Sequence, residues 1–286
     1  MARDSELTTA SDVPAYGERR FGAFNGLGLW TLYKKEVLRF VKVAAQTIFA
    51  PIITTMLYLT VFLVAFGAER DVIMEGQVIS FAAFLPPGLI MMAVLSNAFQ
   101  NSSSSILIGK VQGSVVDILM PPLSPGELTI AFTAGAATRG LMVGFVTALT
   151  IGAFMLVTGG PFAIHSFSAV VFFSIAAAVM LGAVGAIAGM WAEKFDQLAL
   201  ITNFVITPLT FLSGTFYSVK KEGLPGWVEE VSAFNPLFYL IDGFRYGFIG
   251  MSDSDIRIGV AVSMALSAAA TMVTYLLFKR GYKLKA

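Results

Sequence analysis

The sequence predicts an all-α membrane protein with six transmembrane helices, on three observations. Of its 286 residues 56% are hydrophobic and only 13% charged, with a mean hydropathy of +0.77, far from the roughly 25% charged residues of soluble domains. Six windows approach the about 20 apolar helical residues that a hydrocarbon core of roughly 30 Å requires. Basic clusters flank the first and last of these windows, as they do where both chain ends lie on the cytoplasmic face.

The windows are 44–67, 78–99, 128 or 140 to 157, 167–191, 198–217 and 256–278. Ahead of them, residues 1–26 read as a mobile cytosolic tail; Arg3, Asp4, Glu6 and Asp12 stand where a cleavable signal would need its apolar core. Residues 27–286 read as one transmembrane domain. It opens with LGLWTLYKKEVLRFVK, whose Trp30, Tyr33, Val37, Phe40 and Val41 share a helical stripe with Lys35, Arg39 and Lys42 nearly opposite. That pattern predicts an N-terminal amphipathic helix lying in the membrane interface, with Lys34 snorkelling from the apolar face.

Charge placement orients the loops. Lys34, Lys35, Arg39 and Lys42 precede the first span, and Lys279, Arg280, Lys283 and Lys285 follow the last, so both termini are expected in the cytosol. The loop at 68–77 carries Glu69, Asp71 and Glu75 against Arg70, and the segment at 218–255 carries six acids against Lys220, Lys221 and Arg245; both belong outside. The connections around Lys110 and around Glu193, Lys194 and Asp196 then fall inside. Between spans two and three, a cytosolic helix from about residue 105 to 120 is expected to stop at Pro121-Pro122, being too short and too polar to cross.

Several kinds of chemistry are excluded. No Gly-x-x-x-x-Gly-Lys-Ser/Thr loop is present, since Gly109-Lys110 is followed by Val111, so any ATP must be handled by another chain. No cysteine supplies a thiolate, and His165, the single histidine, stands alone in an outer loop, which removes zinc pairs and Ser/His/Asp relays. A net charge of +1 offers nothing to nucleic acid. Acid pairs at membrane depth are missing as well. A rival to ATP-driven transport is an ion-coupled secondary transporter working without an ATPase, although such a carrier usually shows more intramembrane carboxylates or histidines.

Arg139 is the one charge that the windows place near the membrane interior. If the third helix begins near Leu128, Arg139 lies about 16 Å along it and needs a cavity or partner. If 140–157 is the span and 121–138 an intracellular extension, Arg139 snorkels to the interface, the favoured placement. Gly140-x-x-x-Gly144 and Gly185-x-x-x-Gly189 permit close helix contact. Gln46, Thr54, Asn97, Asn203 and Thr207 are polar positions that either face a substrate path or bridge helices.

The stretch LPGWVEEVSAFNPLFYLIDGFRYG, 224–247, is half polar. Leu224-Pro225-Gly226 reads as a turn, Trp227 as part of the apolar face of a short helix, and Asn235-Pro236 as a side-chain cap with proline at the first helical position. Asp242 and Arg245, three apart, are placed to pair. Two short helices re-entering the outer leaflet between spans five and six satisfy their own backbone groups without crossing.

Through this segment, FLSGTFYSV and ILMPPLSPGEL, the chain resembles the permease subunits of type-2 ATP-binding cassette (ABC) exporters, over nearly its whole length. The resemblance implies a homodimer in a bacterial inner membrane, served by two copies of a cytosolic ABC ATPase that carry the ATP and magnesium, with no cofactor on this chain. It implies a main coupling helix around Gly109, Lys110, Gln112, Gly113 and Asp117, and a minor contact at Glu193, Lys194 and Asp196. Asn235, Pro236 and Arg245 would belong to the outer re-entrant motif together with Trp227 and Asp242. Spans two and five of both protomers would line a central cavity, with Asn97, Phe99, Asn203, Thr207 and Phe211 as its candidate residues. Its substrate would be an amphiphile such as a drug or lipid-linked saccharide, exported by alternating access.

Overall fold

The computed structural model describes residues 24–68, 70–74, 76–219 and 226–284, without the side chains of 118, 119, 228 and 229. The tail expected at 1–26 therefore lies, up to residue 23, outside the described residues, as do Glu69, Glu75, Lys220, Lys221, Lys285 and the Leu224-Pro225 part of the expected turn.

Helix α1 (Gly26–Val41) is capped by Asn25, whose side chain accepts from the Gly28 amide. Its protein-facing residues are Leu32, Glu36 and Phe40, whereas Trp30 and Val41 are exposed. The buried face shares Phe40 with the expected stripe and also takes in an acid. Glu36 is accommodated where Gly135 leaves room for its methylenes, accepts a 2.7 Å hydrogen bond from Ser105 and sits 3.6 Å from Arg39. Burial still pushes its carboxyl above the usual carboxylate range, against the pull of Arg39.

Helix α2 (Ala45–Phe66) begins with π-helical turns over Ala45–Phe49. A short antiparallel hairpin follows, β1 (Asp71–Met74) and β2 (Gln77–Ser80), paired Val72 to Ile79 and Ile73 to Val78. It corrects both the all-helical expectation and the start of the second span at Val78. Val72 and Met74 alternate inward on one strand face, and Ser80 ends the hairpin by capping α3 through the Ala83 amide.

Helix α3 (Phe81–Val111) runs unbroken through the expected boundary at Phe99, so the helix expected from 105 to 120 is not separate. Ser103 donates to Phe99 O one turn back and Ser102 to Gly182 O, so the serine run stays helical and buried. The break falls instead at Gly113, with φ +70°, before the single-turn α4 (Val115–Leu119). Helix α5 (Pro125–Thr158) is likewise continuous. A reciprocal capping box between Ser124 and Glu127 starts it, and Glu127 also accepts from the Asn25 amide, tying the start of α5 to α1. Arg139 lies inside this helix and donates 3.2 Å to Asn97 Oδ1, so it turns inward rather than snorkelling outward as favoured from the sequence.

Helices α6 (Phe167–Trp191), α7 (Phe195–Thr215) and α10 (Ile256–Arg280) complete the apolar set. Between α7 and α10 come α8 (Gly226–Phe234) and α9 (Pro236–Ile249). Among the described residues six helices, α2, α3, α5, α6, α7 and α10, are long and apolar enough to cross a membrane. At 14 residues α9 extends only about 21 Å.

Packing centres on α3. Its most apolar window is 83% buried, against 17% for α2 and α10. Both small-residue motifs pack closely against it. A methyl at Gly140 would meet Ala98 and Val94 of α3, and one at Gly185 would collide with the Phe99 carbonyl. Helix α7 is irregular. Its backbone is π-helical over Thr202–Ile206, and its last turns leave helical geometry at Ser213 and at Gly214, with φ +73°. Such turns release carbonyls, and four of those between Leu209 and Gly214 accept from side chains. Asn235 Nδ2 donates to Leu209 O at 2.6 Å, Thr215 Oγ1 to Thr210 O at 2.7 Å and Ser232 Oγ to Leu212 O at 2.9 Å. Arg245 Nη2 donates to Gly214 O.

Replacing Gly185 by Ala is expected to destabilise the detergent-solubilised protein by about 1–3 kcal/mol, because backbone must move to admit the methyl. Gly126→Ala, whose added carbon would lie 4.0 Å from the Tyr275 ring, should shift stability by less than about 0.5 kcal/mol. Asn235→Asp keeps an acceptor for the Leu237 amide but loses the donor to Leu209 O, with an expected cost of about 1–3 kcal/mol. Thermal unfolding of the three variants against the parent checks all three values.

Candidate functional site

Three groups of sequence-predicted residues sit at three places. At the hairpin end, Asp242 and Arg245 are completely buried and 4.0 Å apart. Asp242 accepts from the Asp253 amide and from both the amide and hydroxyl of Ser254, at 2.7–2.8 Å. Asp253, which drew no attention in the sequence, extends the network by accepting from Ser218 Oγ and the Val219 amide. Arg245 also lies over the Phe84 ring of α3, 3.9 Å from its centroid. Asn235 caps α9 and Pro236 is its first residue. Trp227, by contrast, is 59% exposed and belongs to the surface of α8.

At the opposite end, Lys110, Val111, Gly113, Val115 and Val116 meet Glu193 along one groove of about 350 Å³ lined also by Lys283 and Leu284, while Asp117 lines a separate pocket with Leu27 and Lys35 of α1. Lys110 donates to Met190 O and Ala192 O at 2.7 and 2.6 Å, closing the C-terminus of α6 as a basic side chain can. Gly109 is buried, while Gln112, Gly113 and Asp117 are exposed around the turn. Lys194 and Asp196 are exposed as well. Lys283 donates 2.7 Å to Glu193 Oε1. That hydrogen bond holds the Glu193 carboxyl below the usual carboxylate range and raises the Lys283 ammonium, so the contact persists from below ordinary carboxylate titration to above ordinary lysine titration. Its fully exposed setting makes it a positional contact rather than a source of stability.

Between the two ends, α2, α3 and α5 line a half-open cavity of about 600 Å³. Thr47, Thr55, Asn97 and Arg139 form its buried wall, and Gln46, Thr54 and Gln100 its exposed rim. Of the sequence-predicted cavity residues, Asn97 lines it. Phe99 instead points into the core at 1% exposure, packed where α6 crosses α3. Asn203, Thr207 and Phe211 lie on α7, away from this cavity: Asn203 is exposed, and Thr207 Oγ1 closes the π-helical turn by donating to Thr202 O.

The sequence reading missed the cluster behind the cavity. Arg39 of α1 donates to the Asn101 carbonyl at 2.7 Å, to Asn101 Oδ1 at 3.0 Å and to Ser104 Oγ at 3.3 Å. The signal was the i, i+3 spacing of Glu36 and Arg39, masked by the assumption that Arg39 points to water. His165 packs edge-on to Tyr246 in the connection ahead of α6, with ring centroids 5.7 Å apart.

Comparison with known proteins gives these sites a common setting. Residues 28–249 match the family described as ABC-2 type transporter. The chain is 34% identical over 261 residues to the Inner membrane transport permease YadH of Escherichia coli strain K12, covering 91% of this chain and 98% of that one. It is 26% identical over 266 residues to Nodulation protein J of Rhizobium leguminosarum bv. viciae, covering 91% and 95%. Nodulation protein J of Rhizobium meliloti strain 1021 is 25% identical over 233 residues, covering 79% and 83%. A family match through α1 and all but the last of the six apolar helices, with a relative above 30% identity along nearly its full length, makes this chain a member of the ABC-2 type transporter family, a membrane transport permease and not an enzyme.

Proposed function

We propose that the chain is the membrane-spanning half of an ATP-driven exporter, moving an amphiphile out of a bacterial cytoplasm by alternating access while a separate ABC ATPase hydrolyses ATP with magnesium. The observation that carries this reading is the groove where the turn around Gly113, from Val111 to Val116, stands beside Glu193 and Lys283. Two segments far apart in sequence are there presented side by side, as docking to a soluble subunit requires. In this reading α1 lies in the inner interface, α8 and α9 re-enter the outer leaflet, both termini are cytosolic, and two copies of the permease meet two of the ATPase.

The largely unburied faces of α2, α7 and α10 supply the surface for lipid and for the second copy. Alternating access asks the bundle to move as connected pieces. The hydrogen bonds from Lys110 to the end of α6 couple the docking turn to α3 and α6, and α3 in turn touches the Arg245 network at the other end. Movement at the ATPase is thereby transmitted along α3.

Asp117→Arg reverses an exposed charge at the docking turn without touching the core. It is expected to weaken co-purification with the ATPase at least tenfold and leave the melting temperature of the permease unchanged. Lys110→Ala should lower that temperature by removing the cap of α6. Undiminished association of Asp117→Arg with the ATPase would contradict docking at this turn.

A further inference from the structure

The cavity between α2, α3 and α5 has an uncompensated cation in its wall. Arg139 is 9% exposed, and among the described residues its single hydrogen bond is to the neutral Asn97 amide oxygen and its Nε has no partner. No carboxylate lines the cavity among the described residues. The charged group acting on Arg139 is another cation, Arg39, whose own acid, Glu36, is already occupied by it and by Ser105. A buried charge without a counterion is costly, and an arginine fork is suited to a planar or tetrahedral oxyanion.

The remaining wall is built for an amphiphile. Asn97 stands beside the guanidinium and Thr47, Thr55 and Ser96 line the same wall, while Ala50, Pro51, Tyr58 and Met92 supply apolar surface toward the exposed side of α2. We infer that this cavity binds the anionic head of an amphiphile, a phosphate or carboxylate on an alkyl chain, with Arg139 as the residue that selects for the charge. The head group meets Arg139 and Asn97, and the chain leaves past the rim at Thr54. This deepens the export reading by naming the class of substrate and rests on it.

The test uses the full-length chain in maltoside micelles, free of phospholipid head groups and without the ATPase, titrated with tetradecyl phosphate, tetradecanol or inorganic phosphate and followed by native mass spectrometry. Tetradecyl phosphate is expected to bind at least tenfold more tightly than tetradecanol, and Arg139→Gln, which retains a donor to Asn97, should reduce that preference to within twofold. Thr54→Trp, at the exposed rim, should weaken tetradecyl phosphate at least fivefold with Arg139 intact, which serves if the glutamine variant does not fold. Equal binding of alcohol and phosphate ester, or unchanged binding in either folded variant, overturns the assignment. Binding of inorganic phosphate as tight as that of the ester overturns the amphiphile and leaves a free-anion site. Because no ATPase is present, these outcomes are independent of whether the permease docks one.

Discussion

Carbonyl groups released by α7 are the constraint on which the hairpin end of the molecule depends. A helix that leaves regular geometry among apolar neighbours exposes acceptors that neither lipid nor aliphatic side chains can satisfy. Here the deficit runs from Leu209 to Gly214, and the donors come in large part from the short helices that follow it in the chain. The polar residues of α8 and α9 thus have a structural use: Asn235, Ser232 and Arg245 reach back to α7, while Asp242 gathers the turn at 253–254. Arg245 is held in place by Gly214, Asp242 and the face of Phe84 together, which fixes α9 against both α7 and α3.

From that anchored end, α3 carries order through the bundle. Glycines on α5 and α6 bring both neighbours to backbone contact with it, and the serines of its second half bond inward rather than to water. Close-packed backbones transmit displacement with little slack. At the far end, Lys110 binds the last carbonyls of α6, and the chain turns at Gly113 into the exposed segment beside Glu193. A single helix therefore connects the polar network at one end to the groove at the other, passing the Arg139 cavity on the way.

Much of this was legible in the residues. Six apolar windows became six long helices, Asn235-Pro236 became a capped helix start, and the Gly140 and Gly185 motifs became the two faces that grip α3. What escaped depended on partners distant in sequence. The cytosolic helix expected from about 105 proved to be the buried end of α3, where Ser102 and Ser103 donate to the carbonyls of Gly182 and Phe99 and Ser105 to Glu36. Arg139 looked ready to snorkel until Asn97, 42 residues away, turned it inward. Alternation of Val72 and Met74 signalled a strand within a loop whose acids drew more notice. Phe99 belongs to the core because α6 approaches there at Gly185, a contact no local pattern encodes.

If α8 and α9 serve α7 without crossing, the two ends of the domain must lie on the same side of the membrane. The chain lacks cysteine, so single cysteines at exposed positions report this directly: Phe24→Cys, Val78→Cys and Tyr282→Cys. With a membrane-impermeant maleimide on sealed cells, position 78 should label at once, and positions 24 and 282 only after permeabilisation. Labelling of position 282 from outside, with position 24 still protected, would mean an odd number of crossings and contradict the folding-back of α9.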